Sequence, residues 1–484
     1  MMKIFRLEEP ELFFNGNQKC LDPQVGLLNY GPHGGIAGFI EKPRTIFAGI
    51  IGTTKIIDET RGWLERLKYR IDAEETENTE YKGIDFPGIN KEGPLKFDII
   101  IDKNCILKID NAFIKQLSKT ESRKERIIAT VNEYCRKFDD MLEADPRPQI
   151  ILLPIDDDIM RLCKEPGVKI DKIVYQRREF GNPDSLNAPL FDFHNYLKAQ
   201  AAKRNFVTQM ISPLTLKFSE DKQSPAFIGW NFAVGVYYKA TGIPWKLADI
   251  DEDTCYIGVA FYQEISKSEK TMRASIAQVY MRTGESQVIR GNAFEWDEEL
   301  GGRQVHLSSD QIKKIIDDSI NIFYRQRKEY PKRVVVHKST RFTDEEIEGC
   351  ELACEKIDEL DIVHIREYSG FRAFHEEYGY PVLRGTVIAD DTEAILFTSG
   401  YVPALATYPG PSVPVPLHLI IQKKDTSIET ICRDILCLTK LDWNASAFYT
   451  RMPVTIGVSR KVGAVMAEMV NVTKEPPSSY KFYM

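Results

Sequence analysis

Short apolar runs alternate with amphipathic segments along most of the chain. The run TIFAGIIG begins at Thr45 and is followed by TTKIIDETRGWLERLKYRIDA, in which apolar residues recur at helical spacing. The segments FDIIIDK, ESRKERIIATVNEYCRKFDDML and PQIILLPID repeat this alternation. Strands of a parallel sheet are buried on both faces and are therefore apolar throughout. The order predicts a doubly wound α/β sheet, which binds ligands at the carboxyl ends of its strands.

A second alternation begins near Asp251, with strands and helices in a different order. Its predicted strands are TCYIGVAFYQ, SIAQVYMRTG, RVVVHKS, IVHIREY, AILFTSG and PLHLIIQ, the last two as an antiparallel pair. Its predicted helices are SDQIKKIIDDSINIFYRQRKEY, FTDEEIEGCELACEKI and SIETICRDILCLTKL. Mixed pairing in this order resembles a ribonuclease-H-like core. We therefore divide the chain into an irregular opening segment, 1–44, and two α/β units, 45–250 and 251–484.

Composition limits the class of protein. A chain of 484 residues is long enough for two or three cores, and a net charge of -7 argues against coating nucleic acid by bulk attraction. Any nucleic-acid site must then be a local basic channel. The apolar runs Ile46–Gly52 and Ile150–Ile155 are far shorter than the ~20 residues of a membrane helix. The start, MMKIFRLEEPELFF, carries acids where a signal peptide is apolar, so we expect a cytoplasmic protein.

Basic residues at helical spacing occur in the middle of the chain. His194 and Lys198 are four residues apart, roughly 40° around a helix, and can hold one anion between them. Asn231 and Lys239 share a face of the helix GWNFAVGVYYKATG, whose apolar character predicts a buried lysine in need of a counter-charge. The spacing alone leaves open that His194 and Lys198 lie on a solvated face and that Lys239 extends its ammonium to water.

The runs HNYLKAQAAKRNFVTQMI and WNFAVGVYYKATGIPWKL resemble the MID-domain pocket of Argonaute proteins, which binds the phosphorylated 5′ end of a guide strand. The resemblance implies a Rossmann-like MID domain and assigns His194, Lys198, Gln209, Asn231 and Lys239 to that pocket. It also implies that the terminal carboxylate, here on Met484, reaches the pocket and shares a divalent metal with the phosphates. Because the ligands are oxygen atoms, Mg²⁺ is the expected ion.

The second unit resembles a PIWI domain through TCYIGVAFY, RVVVHKSTRFTDEEI and TRMPVTIGVSRKVGAVM. A PIWI domain that cuts needs clustered carboxylates holding two metal ions about 4 Å apart. The resemblance places Ala260, Lys338 and Arg460 at three of these positions, so we expect no catalytic residues and no nuclease activity. Glu285 and Glu295 lie in the region of the remaining glutamate. Asp253, the nearest other acid, precedes the first strand.

Cations at vacated positions favour phosphate contacts, so the groove is expected to bind a duplex without cutting it. The candidate contacts for this groove are His337, Lys338, Arg341, Arg384 and Arg460. For each of them, a solvated charge is the alternative.

The opening residues are too few to form a PAZ domain. In this respect the chain resembles the short Argonautes. That resemblance implies an RNA guide, a single-stranded DNA target, and a heterodimer with an APAZ-containing effector that carries a TIR, sirtuin-like or nuclease domain. The implied role is defence against plasmids and phage, and 1–44 is expected to pack on the PIWI domain. A metal-dependent nuclease and a protein that binds a small phosphorylated ligand are the alternatives. Against the second alternative, the sequence contains no GxGxxG or GxxxxGK[ST] phosphate-binding loop.

Overall fold

The computed structural model of the chain describes residues 2–34, 43–73, 83–163, 192–217, 224–240, 242–263, 271–279, 286–295, 305–367, 370–374, 381–408, 413–469 and 472–484. The strands are β1 Lys3–Arg6, β2 Leu12–Phe13, β3 Lys19–Cys20, β4 Arg44–Gly52, β5 Phe97–Lys108, β6 Ile150–Pro154, β7 Thr208–Ile211, β8 Lys246–Leu247, β9 Thr254–Gln263, β10 Thr271–Val279, β11 Ser286–Glu295, β12 Arg333–Lys338, β13 Glu359–Glu367, β14 Thr386–Ala389, β15 Glu393–Leu396 and β16 Leu417–Lys423. The helices are α1 Pro23–Tyr30, α2 Thr54–Arg66, α3 Asn111–Leu117, α4 Arg123–Leu142, α5 Asp157–Cys163, α6 Phe193–Lys203, α7 Pro213–Leu216, α8 Pro225–Lys239, α9 Ser309–Arg327, α10 Asp344–Ala353, α11 Ile428–Leu438 and α12 Val454–Met469.

The first α/β unit is built on a parallel sheet in the order β5-β4-β6-β7. The apolar run of β6 is buried along its whole length, because helices cover both faces of the sheet. Ile151 faces the same core as Phe138 of α4, whereas Ile150 faces Trp63 of α2 and Trp230 of α8. The predicted doubly wound arrangement is confirmed.

The second unit contains a sheet of nine strands in the order β1-β14-β15-β16-β13-β12-β9-β10-β11. Its central strands β9, β12 and β13 are parallel, and the neighbours on both sides are antiparallel. Val334 and Val336 pack under α9 and α10, while Val335 faces the opposite side, towards α12. The mixed pairing confirms the predicted ribonuclease-H-like core, including the antiparallel pair of β15 and β16.

The opening segment joins both units. Strand β1 pairs with β14 at one edge of the nine-stranded sheet, and β2 pairs with β3 and with β8. The segment also contains α1, where only irregular extended structure was predicted. The side chain of Asp22 caps this helix by accepting hydrogen bonds from the backbone N–H groups of Gln24 and Val25, and Pro23 occupies the first turn. Within the described residues, no helix combines the length and the apolar character that crossing a bilayer requires.

Candidate functional site

Four residues from distant parts of the chain meet between the two units. Helix α6 supplies Lys198, β7 supplies Gln209, α8 ends at Lys239, and Met484 follows the last turn of the chain. Lys239 Nζ donates to Gln209 Oε1 at 2.7 Å, and Lys198 Nζ donates to a main-chain oxygen of Met484. A Cβ on Gly235 would lie 3.7 Å from Met484 Cε and 4.0 Å from Gln209 Oε1, so both border one face of α8. We call Lys198, Gln209, Lys239 and Met484 the lysine pocket.

Both lysines of this pocket are buried, with exposed fractions of 5% for Lys198 and 3% for Lys239. Burial, together with the charge of Lys461, lowers the pKa of Lys198 to about 7. Burial, together with Lys198, holds the pKa of Lys239 well below its ordinary value. Their hydrogen-bond partners within the described chain are the carboxamide of Gln209 and the main chain of Met484, with no acidic side chain. The only carboxylate among these contacts is the terminal one of Met484, so two buried lysines share a single negative group, and a further anion would stabilise the site.

His194 lies one turn before Lys198, as its spacing predicts. Its Nδ1 is 3.2 Å from Asn195 Oδ1, and burial, reinforced by Lys198, lowers its pKa to about 4. The neutral ring therefore adds no third charge near pH 7. Asn231 makes a different contact on α8, because its carboxamide oxygen accepts hydrogen bonds from the backbone N–H and the hydroxyl of Ser446, at 2.8 and 3.1 Å. Asn231 thus joins α8 to the second unit through Ser446, and its assignment to the pocket stays a prediction.

The register of the central strands corrects the interpretation of Lys338. His337 lies opposite Gly258, and Lys338 lies opposite Val259. Because side chains alternate between the faces of a strand, Lys338 shares a face with Val259, and Ala260 shares the other face with His337. Lys338 and Ala260 therefore face opposite sides of the sheet and cannot belong to one cluster. Ser339, directly after β12, is the next residue whose side chain lies on the same face of the sheet as Ala260.

Lys338 is also fully buried and ion-paired. Its Nζ lies 2.5 Å from both carboxylate oxygens of Glu346, which also accept hydrogen bonds from the backbone N–H groups of Leu307 and Thr343 at 2.9 Å. The charge is thus neutralised inside the protein. The prediction that Lys338 contacts nucleic acid is wrong, because neither its ammonium nor its partner is accessible.

The Piwi domain model matches residues 187–471, which is more than half of the chain. The chain belongs to the Piwi domain family. No curated protein matches it.

The fold of this Piwi-family chain is Argonaute-like. Clostridium butyricum Argonaute bound to a guide DNA and a 19-mer target DNA matches with a TM-score of 0.66 and 16% identity, over 98% of this chain and 54% of that one. A. aeolicus Argonaute matches with a TM-score of 0.57 and 15% identity, over 98% and 54%. Marinitoga piezophila Argonaute in complex with a 5′-OH guide RNA gives 0.56 and 13%, over 97% and 59%. The chain thus spans about half the length of these Argonautes.

Two further groove predictions for this Piwi domain are wrong, because the side chains are buried with internal partners. His337 Nδ1 lies 2.8 Å from Thr455 Oγ1, and burial lowers its pKa to about 3. Arg384 is 2% exposed, and its Nε lies 2.8 Å from Glu9 Oε2. Arg341 and Arg460 are exposed and remain predictions.

The acidic candidates near the central strands do not form a cluster in the described structure. Asp253 lies outside the sheet and pairs with Lys332 at 2.8 Å and with Arg327 at 3.2 Å. Glu285 lies outside the described residues, as does the side chain of Glu295. Among the side chains that are described, no group of three or more His, Cys, Asp or Glu residues could hold a metal ion.

Two residues of α12 near the pocket were not predicted from the sequence. Lys461 pairs with Asp442 at 2.8 Å and lies near enough to Lys198 to lower its pKa. Glu468 accepts a hydrogen bond from the backbone N–H of Asp192 at 2.8 Å. For Lys461, the adjacent basic pair of Arg460 and Lys461 in the sequence was a signal that could have identified it. For Glu468, the sequence contains no local signal, because its contact with Asp192 joins positions far apart in the chain.

Lys239→Met should stabilise the ligand-free protein. The substitution keeps the apolar stem and removes a buried ammonium, so we expect a gain of about 1 kcal/mol in the free energy of unfolding at pH 7. The gain should shrink as the pH approaches 10.5, where the unfolded chain also releases this proton. Denaturant unfolding at several pH values measures both effects, with Lys203→Met, at an exposed position of α6, as the control. A loss of stability relative to that control would contradict the assignment.

Proposed function

We propose that the lysine pocket binds the phosphorylated 5′ end of a guide nucleic acid. The observation that carries the proposal is the pair of buried ammonium groups, Lys198 and Lys239, whose partners in the described chain are oxygen atoms of Gln209 and Met484. A terminal phosphate carries a charge of about −1.5 to −2 and three acceptor oxygens, so it can compensate both lysines at once. A phosphate within a strand carries only one charge, which favours a strand end.

The nature of the bound strand rests on the family. The similar Argonautes carry guide DNA with target DNA in one structure and guide RNA in another. Following the resemblance to short Argonautes, we propose an RNA guide whose bases select a single-stranded DNA target. Arg341 and Arg460 are the exposed cations that we propose contact the nucleic-acid backbone.

We also propose that the chain recognises its target without cutting it. Hydrolysis with two metal ions requires carboxylates that face one side of the sheet at the ends of the central strands. On β9 and β12 the residues with that facing are Ala260, His337 and Ser339, none of which carries a carboxylate. On β13 the same facing belongs to Glu367, whose carboxylate is paired with Arg451 at 3.3 Å. The result of recognition would then have to reach another protein.

That other protein is, in our proposal, an APAZ-containing effector that forms a heterodimer with this chain. Its TIR, sirtuin-like or nuclease domain would degrade NAD or nucleic acid once a target is bound, in defence against plasmids and phage. The resemblance to short Argonautes supports this step.

A magnesium ion fits the lysine pocket only together with a phosphate. Mg²⁺ binds oxygen atoms and usually combines one or two carboxylates with phosphate oxygens and water. The protein oxygens present are those of Met484 and Gln209, and each already accepts a hydrogen bond from a lysine. We propose that the Met484 carboxylate would hold the ion, which would neutralise part of the phosphate charge.

The first binding prediction concerns Lys198→Ala combined with Lys239→Ala. Charge-assisted hydrogen bonds contribute roughly 1.5–3 kcal/mol each, so the double variant should bind a 5′-phosphorylated guide at least about tenfold more weakly. Affinity for the 5′-hydroxyl guide should change little. Fluorescence anisotropy with both guides measures this, with Lys203→Ala plus Lys217→Ala, both exposed, as a control of equal charge. Equal affinity of the double variant and the parent for the phosphorylated guide would refute the assignment. If a free nucleotide binds as tightly as the guide does, the result would favour a protein that binds a small phosphorylated ligand.

A second prediction concerns several small residues added after Met484. The extension keeps the buried aromatic residues of the tail and relocates only the carboxylate, so it should remove most of the metal-dependent preference for 5′-phosphate. The measurement compares phosphorylated and hydroxyl guides with and without Mg²⁺. If the extended protein keeps the parent's preference and its response to metal, the carboxylate is not a ligand.

The third prediction is that the chain alone does not cleave a guide-matched target in Mg²⁺ or Mn²⁺. The reason is the absence of carboxylates at positions 260, 337 and 339, which leaves too few ligands for two metal ions. Gel analysis of labelled target DNA tests this. Cleavage at a fixed distance from the guide end that a chelator abolishes would show that the chain is an active nuclease.

A further inference from the structure

Glu468 joins α12 of the Piwi domain to the first turn of α6. Its side chain is 4% exposed, and Oε1 accepts a hydrogen bond from the backbone N–H of Asp192 at 2.8 Å. Asp192 is the N-cap of α6, and its carboxylate accepts a hydrogen bond from the backbone N–H of Asn195 at 2.9 Å. The start of α6 is therefore stabilised by two hydrogen bonds, one within the helix to its N-cap residue and one to Glu468 of α12.

An acid is an unusual choice at this position. Burial raises the pKa of Glu468 to about 8, and the nearby Asp192 carboxylate acts in the same direction. The hydrogen bond from the Asp192 backbone and the charge of Arg123 oppose this rise of the pKa without cancelling it. An apolar side chain would pack here without this cost, but it could not accept the hydrogen bond.

The helix held by this bond carries pocket residues directly after its N-cap. His194 lies in its first turn and Lys198 one turn later. Nearer its N-terminus, α12 packs on the central sheet, where the hydroxyl of Ser459 lies 2.7 Å from the backbone oxygen of Thr455 and 3.1 Å from that of Gly258 and shares its proton between them. Ser459 and Glu468 are nine residues apart, about 14 Å along a helix. One helix thus connects the middle of β9 with the start of the helix that carries Lys198.

We propose that Glu468 is a positioning residue for the lysine pocket, fixing α6 against α12 so that Lys198 meets the 5′-phosphate already oriented. This inference rests on the proposed function of that pocket. Without the bond, the first turn of α6 would open more often, and part of the phosphate-binding free energy would be spent on ordering it.

Three variants separate positioning from general stability. Glu468→Leu removes the acceptor at similar volume, Glu468→Gln keeps an acceptor oxygen and removes the charge, and Ser459→Ala removes a buried hydrogen bond of the same helix on the side of the sheet. For each, we would measure the ratio of affinities for 5′-phosphorylated and 5′-hydroxyl guide RNA. Amide hydrogen exchange of residues 192–198 would be measured without guide.

The expected result is that Glu468→Leu lowers the phosphate preference about tenfold and speeds exchange in the first turn of α6. Glu468→Gln should retain both parental values, and so should Ser459→Ala even if it unfolds at a lower temperature. If Glu468→Leu does not fold, Glu468→Asp, which withdraws the acceptor by one methylene, should lower the preference about threefold.

An unchanged affinity ratio in Glu468→Leu, or in Glu468→Asp as its replacement, would overturn the inference while leaving the proposed function intact. A parent that shows no preference for the 5′-phosphate would overturn the proposed function and the inference with it. These two failures are distinguishable, because the second is visible in the parent alone.

Discussion

Two lysine ammonium groups lie buried at the contact between the two α/β units. Because burial removes their hydration, each needs a hydrogen-bond acceptor from the protein, and this need accounts for the arrangement around them. Lys239 reaches across from the end of α8 to Gln209 on β7, while Lys198 reaches a main-chain oxygen of Met484. The tail must be ordered for that oxygen to be present. Its aromatic residues provide the order, since Tyr480 and Phe482 are buried and the Tyr480 ring lies 6.4 Å from that of Tyr238. The pocket therefore depends on both units and on the last residues of the chain.

Other buried cations in the same protein are stabilised differently, and the contrast separates structural charges from available ones. Lys338 has the carboxylate of Glu346, and Arg384 shares Glu9 with Lys440. In these pairs, the protein itself supplies the counter-charge, so no ligand is needed. The lysine pocket has no acidic side chain among its described contacts, and the terminal carboxylate of Met484 is a single negative group beside two lysines. A buried cation marks a ligand site only when the protein leaves its charge uncompensated.

Much of the architecture was predictable, because apolar runs and helical spacing are local signals. The buried strands β4, β6, β9 and β12 all fall within segments predicted as strands. The pairing of His194 with Lys198 on one helix was also accessible, as was the burial of Lys239. Helix α1 was missed, although Asp22 followed by Pro23 is a recognised start of a helix. The placement of Lys338 failed for a different reason, since a shift of one residue along a strand reverses the face that a side chain occupies.

The sequence by itself determined the two α/β units, their mixed and parallel strands, the residue types of the pocket and the absence of carboxylates at positions 260, 337 and 339. Only the tertiary structure decided which cations are free to meet an anion. In the sequence, Lys338 and Arg384 are as basic as Lys198 and Lys239, yet Lys338 is paired with Glu346 of α10 and Arg384 with Glu9. His337 is hydrogen-bonded to Thr455. The tertiary structure also decided that Glu468 meets the start of α6 across 276 positions of chain. The physical reason is that local spacing specifies which face of an element is apolar, whereas the neutralisation of a buried charge depends on which other elements pack against it.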